Sequence, residues 1–331
     1  KGVILGVMPW HFPFWQVLRF VVPSILAGNT TVLKHASICF GSGDAIEKLF
    51  LEAGFPKGVF QNLKVGHSEV KEILEHKTIQ AVSLTGSEKA GAEVASIAGK
   101  NIKKSLLELG GSDAFIVLDD TNLKNAAKSA AAARLQNCGQ ACNAGKRFII
   151  HQKIEKDFML EFISEYKKYI PGDKMDLKTK IAGMARPDLA DELEKQYKIA
   201  LKNGAKIILP LERISPDTFI PGLILVKKGN PILQEELFGP LGMVMIAKND
   251  VDTLKLANDI PFGLSNAVWT KSKKRQQFFI ENLESGTVSL NKTSSSDPRL
   301  PFGGAKSSGY GIELSLLALK EFVTAKTVVG N

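Results

Sequence analysis

Residues Ile79–Gly99 read IQAVSLTGSEKAGAEVASIAG. The first eight residues have strand character and the rest has helix character, joined by the short turn Thr85-Gly86-Ser87. A strand running directly into a helix leaves free backbone N–H groups at the turn, where an anion can be cradled. Many α/β folds carry such a turn, and the chain has no GxGxxG, so an ordinary Rossmann fingerprint is absent.

Working outward from this unit, the same rhythm continues on both sides. Upstream lie GVILGVM (strand), FWQVLRFVVPSILAG (helix with a Gly stop), TTVLKH (strand), GSGDAIEKLFLEAG (helix), GVFQNLKV (strand) and SEVKEILEH, a helix with a Ser cap. Downstream, KSLLEL ends at Gly110-Gly111 and DAFIVL follows. TNLKNAAKSAAAARLQN reads as a helix capped near Asp120/Thr121 and stopped at Gly139. KRFIIH, helices around Lys153–Lys168 and Pro187–Asn203, then AKIIL, MVMIAK, VDTLKLAND, NAVWT and TVSLN complete a second cycle. Short connections between alternating strands and helices predict an α/β fold with parallel sheets covered on both faces. No linker separates the cycles, and the pattern puts a boundary near Leu107.

The composition is that of a globular chain: 331 residues, 44% hydrophobic and 23% charged, enough for a large core and two domains. Three cysteines are too few and too odd in number for a disulfide framework, which points to a reducing, cytoplasmic setting. The net charge of +9 comes from scattered basic pairs, not a stripe with interleaved aromatics, so nucleic acid is not an expected partner. Gln16, Arg19 and Pro23 interrupt the apolar first thirty residues, so no membrane span or signal peptide is expected there. The chain opens with Lys in a strand-like run, which suggests missing upstream sequence.

Four constellations carry possible chemistry. QNCGQAC places Cys138 and Cys142 four residues apart. The five histidines do not cluster nearby, so no metal site is expected. Two readings stay open: small buried residues at a helix end, or Cys142 as a nucleophile on the turn after Gly139. In LLELGGSDAF, Glu108 ends an apolar strand, where a carboxylate is costly unless paired or used. Strand ends are also where α/β folds bind ligands, and capping a neighbouring helix is the alternative role. The cradle of Thr85, Gly86 and Ser87 is the third. The fourth comprises His11 in MPWHFP, Lys34 in VLKHAS and the acidic pair Glu235-Glu236 before Phe238.

Taken in order, MPWHFP, LKHAS, LTGS, LELGG, NCGQAC, EELFGP and PFGGAKSSGYG resemble the aldehyde dehydrogenase superfamily over essentially the whole chain. The branch most similar is the succinate-semialdehyde dehydrogenase type, through FPFWQVLRF, LQNCGQAC and SDPRLPFGGAKSSGYG. The resemblance implies a Rossmann-like cofactor domain over 1–107, N-terminally incomplete, and a catalytic domain over 108–310. Residues 311–331 would form a return segment with a C-terminal oligomerisation strand. It further implies Cys142 as nucleophile, Glu108 as general base and NAD or NADP as cofactor. Lys34 and Ser37 would lie at the adenosine ribose, Thr85, Gly86 and Ser87 at the pyrophosphate, and Glu236 and Phe238 at the nicotinamide ribose and ring. Arg19 would hold a substrate carboxylate.

The implied assembly is a homodimer or homotetramer, and the implied partner a small aldehyde. Several positions depart from the family pattern. His11 replaces the usual oxyanion-binding Asn, and Ser37 replaces an acidic residue often found at the ribose in NAD-preferring members. Gln136 stands where many succinate-semialdehyde enzymes have a second substrate arginine, a role Arg299 would take instead. The N-terminal segment carried by family members is absent. The alternatives are a fragment that keeps the fold and subunit interface without activity, and a cysteine hydrolase, which would need a His beside Cys142.

Overall fold

The computed structural model describes residues 2–330. Two compact units are formed, Lys1–Leu109 with Ser296–Asn331, and Gly110–Ser295. The chain therefore re-enters the first unit at Ser296, ahead of the return at 311 read from the sequence, and first leaves it after Leu109.

In the first unit the chain runs β1 (Val3–Met8), α1 (Trp15–Leu26), β2 (Thr30–His35), α2 (Phe40–Glu52), β3 (Phe60–Leu63), α3 (Val70–Glu75), β4 (Ile79–Thr85), α4 (Glu88–Lys100) and β5 (Lys104–Glu108). The strands pair in parallel in the order β5-β4-β1-β2-β3, and Gly309–Tyr310 adds an antiparallel edge beside β5. Successive residues of a strand point to opposite faces. Ile4 and Met8 accordingly pack with Phe20 and Val21 of α1 and Ile46 of α2. Leu5, Val82 and Leu84 pack with Leu74 of α3 and Val94 and Ala98 of α4 on the other face. From β1 the chain winds first to β2 and β3, then returns to β4 and β5 on the far side. Strand order thus reverses between β1 and β4, the position where open α/β sheets bind ligands at their carboxyl ends.

The second unit runs β6 (Ala114–Val117), α5 (Leu123–Leu135), β7 (Arg147–His151), α6 (Glu155–Tyr166), α7 (Pro187–Lys202), β8 (Lys206–Leu209), β9 (Gly222–Leu225), β10 (Leu241–Ala247), α8 (Asp250–Asn258), β11 (Ser265–Trp269), α9 (Lys273–Asn282) and β12 (Thr287–Leu290). The sheet order is β12-β11-β6-β7-β10-β9-β8, parallel except for β9 with β8. The alanine run of α5 has a structural purpose. Ala126, Ala127, Ala130 and Ala131 are fully buried in a core that also holds Phe115, Phe148, Phe158 and Phe162. Arg147 opens β7 as a buried cation whose guanidinium donates to Ser112 O (2.6 Å), Leu256 O (2.7 Å) and Ala257 O (2.8 Å). Burial pushes its pKa down to about 10, with Asp113 opposing.

Several sequence expectations shift. Asn122, not Asp120 or Thr121, caps α5, accepting from the Asn125 N–H. Asp120 is used elsewhere, accepting from Thr270 Oγ1 at 2.7 Å and from the Ser272 N–H at 2.9 Å. Glu69 rather than Ser68 precedes α3, because Ser68 Oγ is turned to the Glu69 carboxylate. Residues 323–330 take no regular structure in the single chain. Among the described residues no helix is long and apolar enough to cross a membrane, and no three His, Cys, Asp or Glu side chains are grouped to hold a metal ion.

Candidate active site

In the second unit, α5 ends at Leu135 and the chain doubles back through three consecutive left-handed residues, Asn137 (φ 50°), Cys138 (φ 57°) and Gly139 (φ 72°). This conformation costs a non-glycine residue roughly 1–2 kcal/mol. A side chain at 139 would also collide with the Gly239 carbonyl. The Arg134 guanidinium, fully buried, donates to the Gly139 carbonyl and pins the turn.

The two sulfurs then diverge. Cys138 is 3% exposed, and burial pushes its thiol up to about 12, with the Arg134 cation opposing. Such a thiol stays protonated and inert. Cys142 lies on the far side of the turn at 8% exposure. A Cβ at Gly111, in the LELGG stretch, would stand 3.0 Å from the Cys142 carbonyl oxygen, so glycine permits that approach.

Four residues after Cys142, Lys146 is completely buried. Its ammonium donates to Ala141 O (2.9 Å), to Cys142 O and to Glu236 Oε1 (2.8 Å), which uses all three of its protons. Glu236 Oε1 also accepts the Gly111 N–H at 3.1 Å, and the Phe238 ring centre lies 5.8 Å from Lys146 Nζ. Asp113 adds a further buried carboxyl, pushed up to about 7 by burial against the pull of Lys146. The stretches read separately as NCGQAC and EELFGP are thus one hydrogen-bonded cluster. Gln136 faces a different part of this unit, a cavity of about 420 Å³ whose wall includes Ala141 and Asn143 on either side of Cys142, and Lys180.

In the first unit, Lys34, Thr85 and Glu108 sit at the carboxyl ends of β2, β4 and β5. Ser87 caps α4, its Oγ accepting the Ala90 N–H at 3.3 Å. The Gly86 N–H donates to the Glu108 carbonyl at 3.0 Å. Lys34 Nζ is 3.4 Å from His67 Nδ1, and its pKa is lowered by burial, with Glu69 opposing. Ser37 is exposed at the start of a single 3₁₀ turn. His11 is 7% exposed and packs edge-on between Trp10 (5.4 Å) and Phe12 (6.5 Å).

Glu108 is 2% exposed, and among the described residues neither of its oxygens accepts a hydrogen bond. Arg19 Nη2 lies 3.9 Å from Glu108, while Arg19 Nε is paired with Glu313 Oε2 at 2.6 Å and its guanidinium stacks over Phe302 at 4.6 Å. Burial pushes the Glu108 carboxyl up to about 8. The Arg19 cation pulls it down and Glu313 pushes it up. Burial likewise raises Glu313, and the Arg19 cation opposes it. Arg19, expected to face a substrate carboxylate, is in this structure engaged with two carboxylates of its own unit. Arg299 pairs with the adjacent Asp297 at 2.6 Å and is strongly exposed. Arg19 and Arg299 share the wall of an apolar groove of about 690 Å³ with Trp15, Leu18 and Leu319.

Sequence reasoning missed Lys146, Lys180, His67 and Glu313. Only Lys146 left a usable signal, a basic pair, Lys146-Arg147, at the start of the fully buried strand β7.

The sequence pattern of the aldehyde dehydrogenase family matches residues 1–328. The chain belongs to the aldehyde dehydrogenase family. A probable succinate-semialdehyde dehydrogenase, NADP(+), from Synechocystis is 43% identical over 99% of this chain and 73% of its own length. A succinate semialdehyde dehydrogenase, NAD(P)+, from Escherichia coli is 42% identical over 99% of this chain and 71% of its own. The crystal structure of succinic semialdehyde dehydrogenase from Streptococcus pyogenes, in complex with NADP+, superposes with a TM-score of 0.97 at 38% identity, covering 100% of this chain and 74% of that one.

A carboxyl titrating near 8 sets the pH dependence of anything Glu108 does as a base. Below that pH it holds its proton and cannot accept another; above it the carboxylate is competent. Turnover of this aldehyde dehydrogenase, measured at saturating substrate, should rise with pH through about 8 and then level. A rate flat across that window would contradict the placement of Glu108 as a buried base.

Proposed function

We propose that the chain oxidises succinic semialdehyde to the carboxylic acid with NADP+ or NAD+, through a thioester on Cys142. The observation that carries the reading is the buried cluster in which Lys146 joins the backbone of Cys142 to Glu236. It fixes the reactive turn and the cofactor-side carboxylate as one body, and it separates Cys142 from its inert neighbour Cys138. The relatives named above support the substrate and the cofactor.

The residues present fit a dinucleotide. The N-terminus of α4 presents its backbone N–H groups here, and Thr85 Oγ1 beside it is buried without a hydrogen-bond partner among the described residues. Lys34 supplies a cation at the end of β2, and Glu236 a carboxylate suited to ribose hydroxyls. When bound, the nicotinamide supplies the hydride acceptor.

The chain's own residues do the rest. The Cys142 thiolate attacks the aldehyde carbon, and the developing oxyanion takes hydrogen bonds from the Cys142 N–H and from His11. After hydride loss the acyl group is held on the sulfur. Glu108 takes a proton from water, the resulting hydroxide equivalent attacks the thioester, and the C–S bond breaks to release the acid and the thiolate. Ser37 leaves no carboxylate to repel a 2′-phosphate, and Lys34 stands nearby to attract one.

Two experiments test the reading. Cys142→Ala should abolish aldehyde oxidation while cofactor binding survives, and Cys138→Ala should keep most of the activity; the reverse result would place the chemistry on the wrong sulfur. Ser37→Glu should lower the NADP/NAD ratio of kcat/KM by like-charge repulsion of the 2′-phosphate. An unchanged ratio would remove Ser37 from the cofactor site.

A further inference from the structure

The cavity of about 420 Å³ in the second unit has a small-residue wall built from Ala132, Ala133, Ala141 and Ala144. Its volume suits a small ligand. Ala141 and Asn143 flank Cys142 in the chain, so this wall is built in part from the reactive turn itself. Gln136 contributes an amide, which can hydrogen-bond an anion and cannot neutralise it. Among the described residues lining the cavity, Lys180 carries the single formal charge.

Lys180 is exposed and forms no ion pair with a described carboxylate, unlike Lys146, Lys168 and Lys198, which each do. Its ammonium lies 5.8 Å from the centre of the Tyr169 ring, another wall residue. Its neighbour in the chain is firmly held. Ile181 is 2% exposed, bridges to Pro171, and accepts the Gly172 N–H at 3.1 Å. A positive charge with no internal counterion, on an anchored segment and beside an apolar wall, attracts an anion. The two arginines that would otherwise do this are engaged, Arg19 with Glu313 and Arg299 with Asp297.

We propose that Lys180, with Gln136 beside it, recognises the carboxylate of the substrate and gives this chain its preference for semialdehydes of dicarboxylic acids. The inference rests on the dehydrogenase reading above. In succinic semialdehyde the carboxylate stands three carbon–carbon bonds from the aldehyde carbon. Because the neighbours of Cys142, Ala141 and Asn143, line the same cavity as Gln136 and Lys180, a substrate that enters this cavity with its aldehyde at Cys142 would turn its charged end toward Lys180. The contact is a charge-assisted hydrogen bond at a partly enclosed site.

The test compares kcat/KM for succinic semialdehyde with that for butanal, an uncharged aldehyde of the same chain length. Lys180→Ala should lower the succinic semialdehyde/butanal ratio by about tenfold, chiefly through KM, the size expected of one charge-assisted contact. Lys180→Arg should keep most of the ratio, and Lys180→Glu should lower it further. High salt should shrink the wild-type preference and leave that of Lys180→Ala nearly unchanged. A measurement without turnover runs alongside. Succinate should slow alkylation of Cys142 by iodoacetamide, read by peptide mass, and Lys180→Ala should lose that protection. A wild type that prefers succinic semialdehyde, with a Lys180→Ala variant that keeps both preference and protection, would overturn this inference and leave the proposed function standing. A wild type without the preference would overturn both.

Discussion

The second unit depends on one buried ammonium. Lys146 is removed from water and donates to two backbone carbonyls on the reactive turn and to the Glu236 carboxylate. Leaving such a charge buried with its partner removed costs roughly 3–5 kcal/mol, so the three acceptors are held where the ammonium needs them. The turn must then approach closely enough for those bonds to form. Gly111 and Gly139 allow it, one at the Cys142 carbonyl and the other at the Gly239 carbonyl. The left-handed residues 137–139 follow from that requirement, since the chain leaving α5 has to reverse within a few residues to bring Cys142 over the cluster.

The first unit handles charge differently. Glu108 and Glu313 are both buried, and one arginine serves them. Burial pushes the Glu108 carboxyl up to about 8, and the one cation, shared with Glu313, opposes this without cancelling it. That property suits a group that must take a proton from water and then give it up to return to the carboxylate. A substrate carboxylate arriving at Arg19 would compete with one already 2.6 Å away.

Much of the fold was legible because its signals are local. The β1-to-β5 alternation, the alanine face of α5 and the strand ends carrying Lys34, Thr85 and Glu108 all follow from short periodic patterns. Strand β9 and helix α9 were not legible. GLIL is too short to stand out, and KKRQQFFIEN has too many charged and polar residues to show an apolar face. The site was legible as motifs and not as contacts. Nothing in the sequence says that Lys146 reaches Glu236 across ninety positions, or that Arg19 pairs with Glu313, because both depend on tertiary approach. Lys180 was invisible for the opposite reason. It lies in an irregular segment among other lysines, and only the cavity wall distinguishes it.

The central claim is that this aldehyde dehydrogenase carries its substrate as a thioester on Cys142 and releases it through Glu108. The direct measurement is peptide mass analysis of Glu108→Gln after brief exposure to succinic semialdehyde and NADP+, with fragmentation of the peptide spanning residues 135–146. The account predicts one succinyl group on Cys142, formed together with reduced cofactor and persisting because water is no longer activated. Reduced cofactor without an acyl group on the protein, or an acyl group on Cys138, would contradict it.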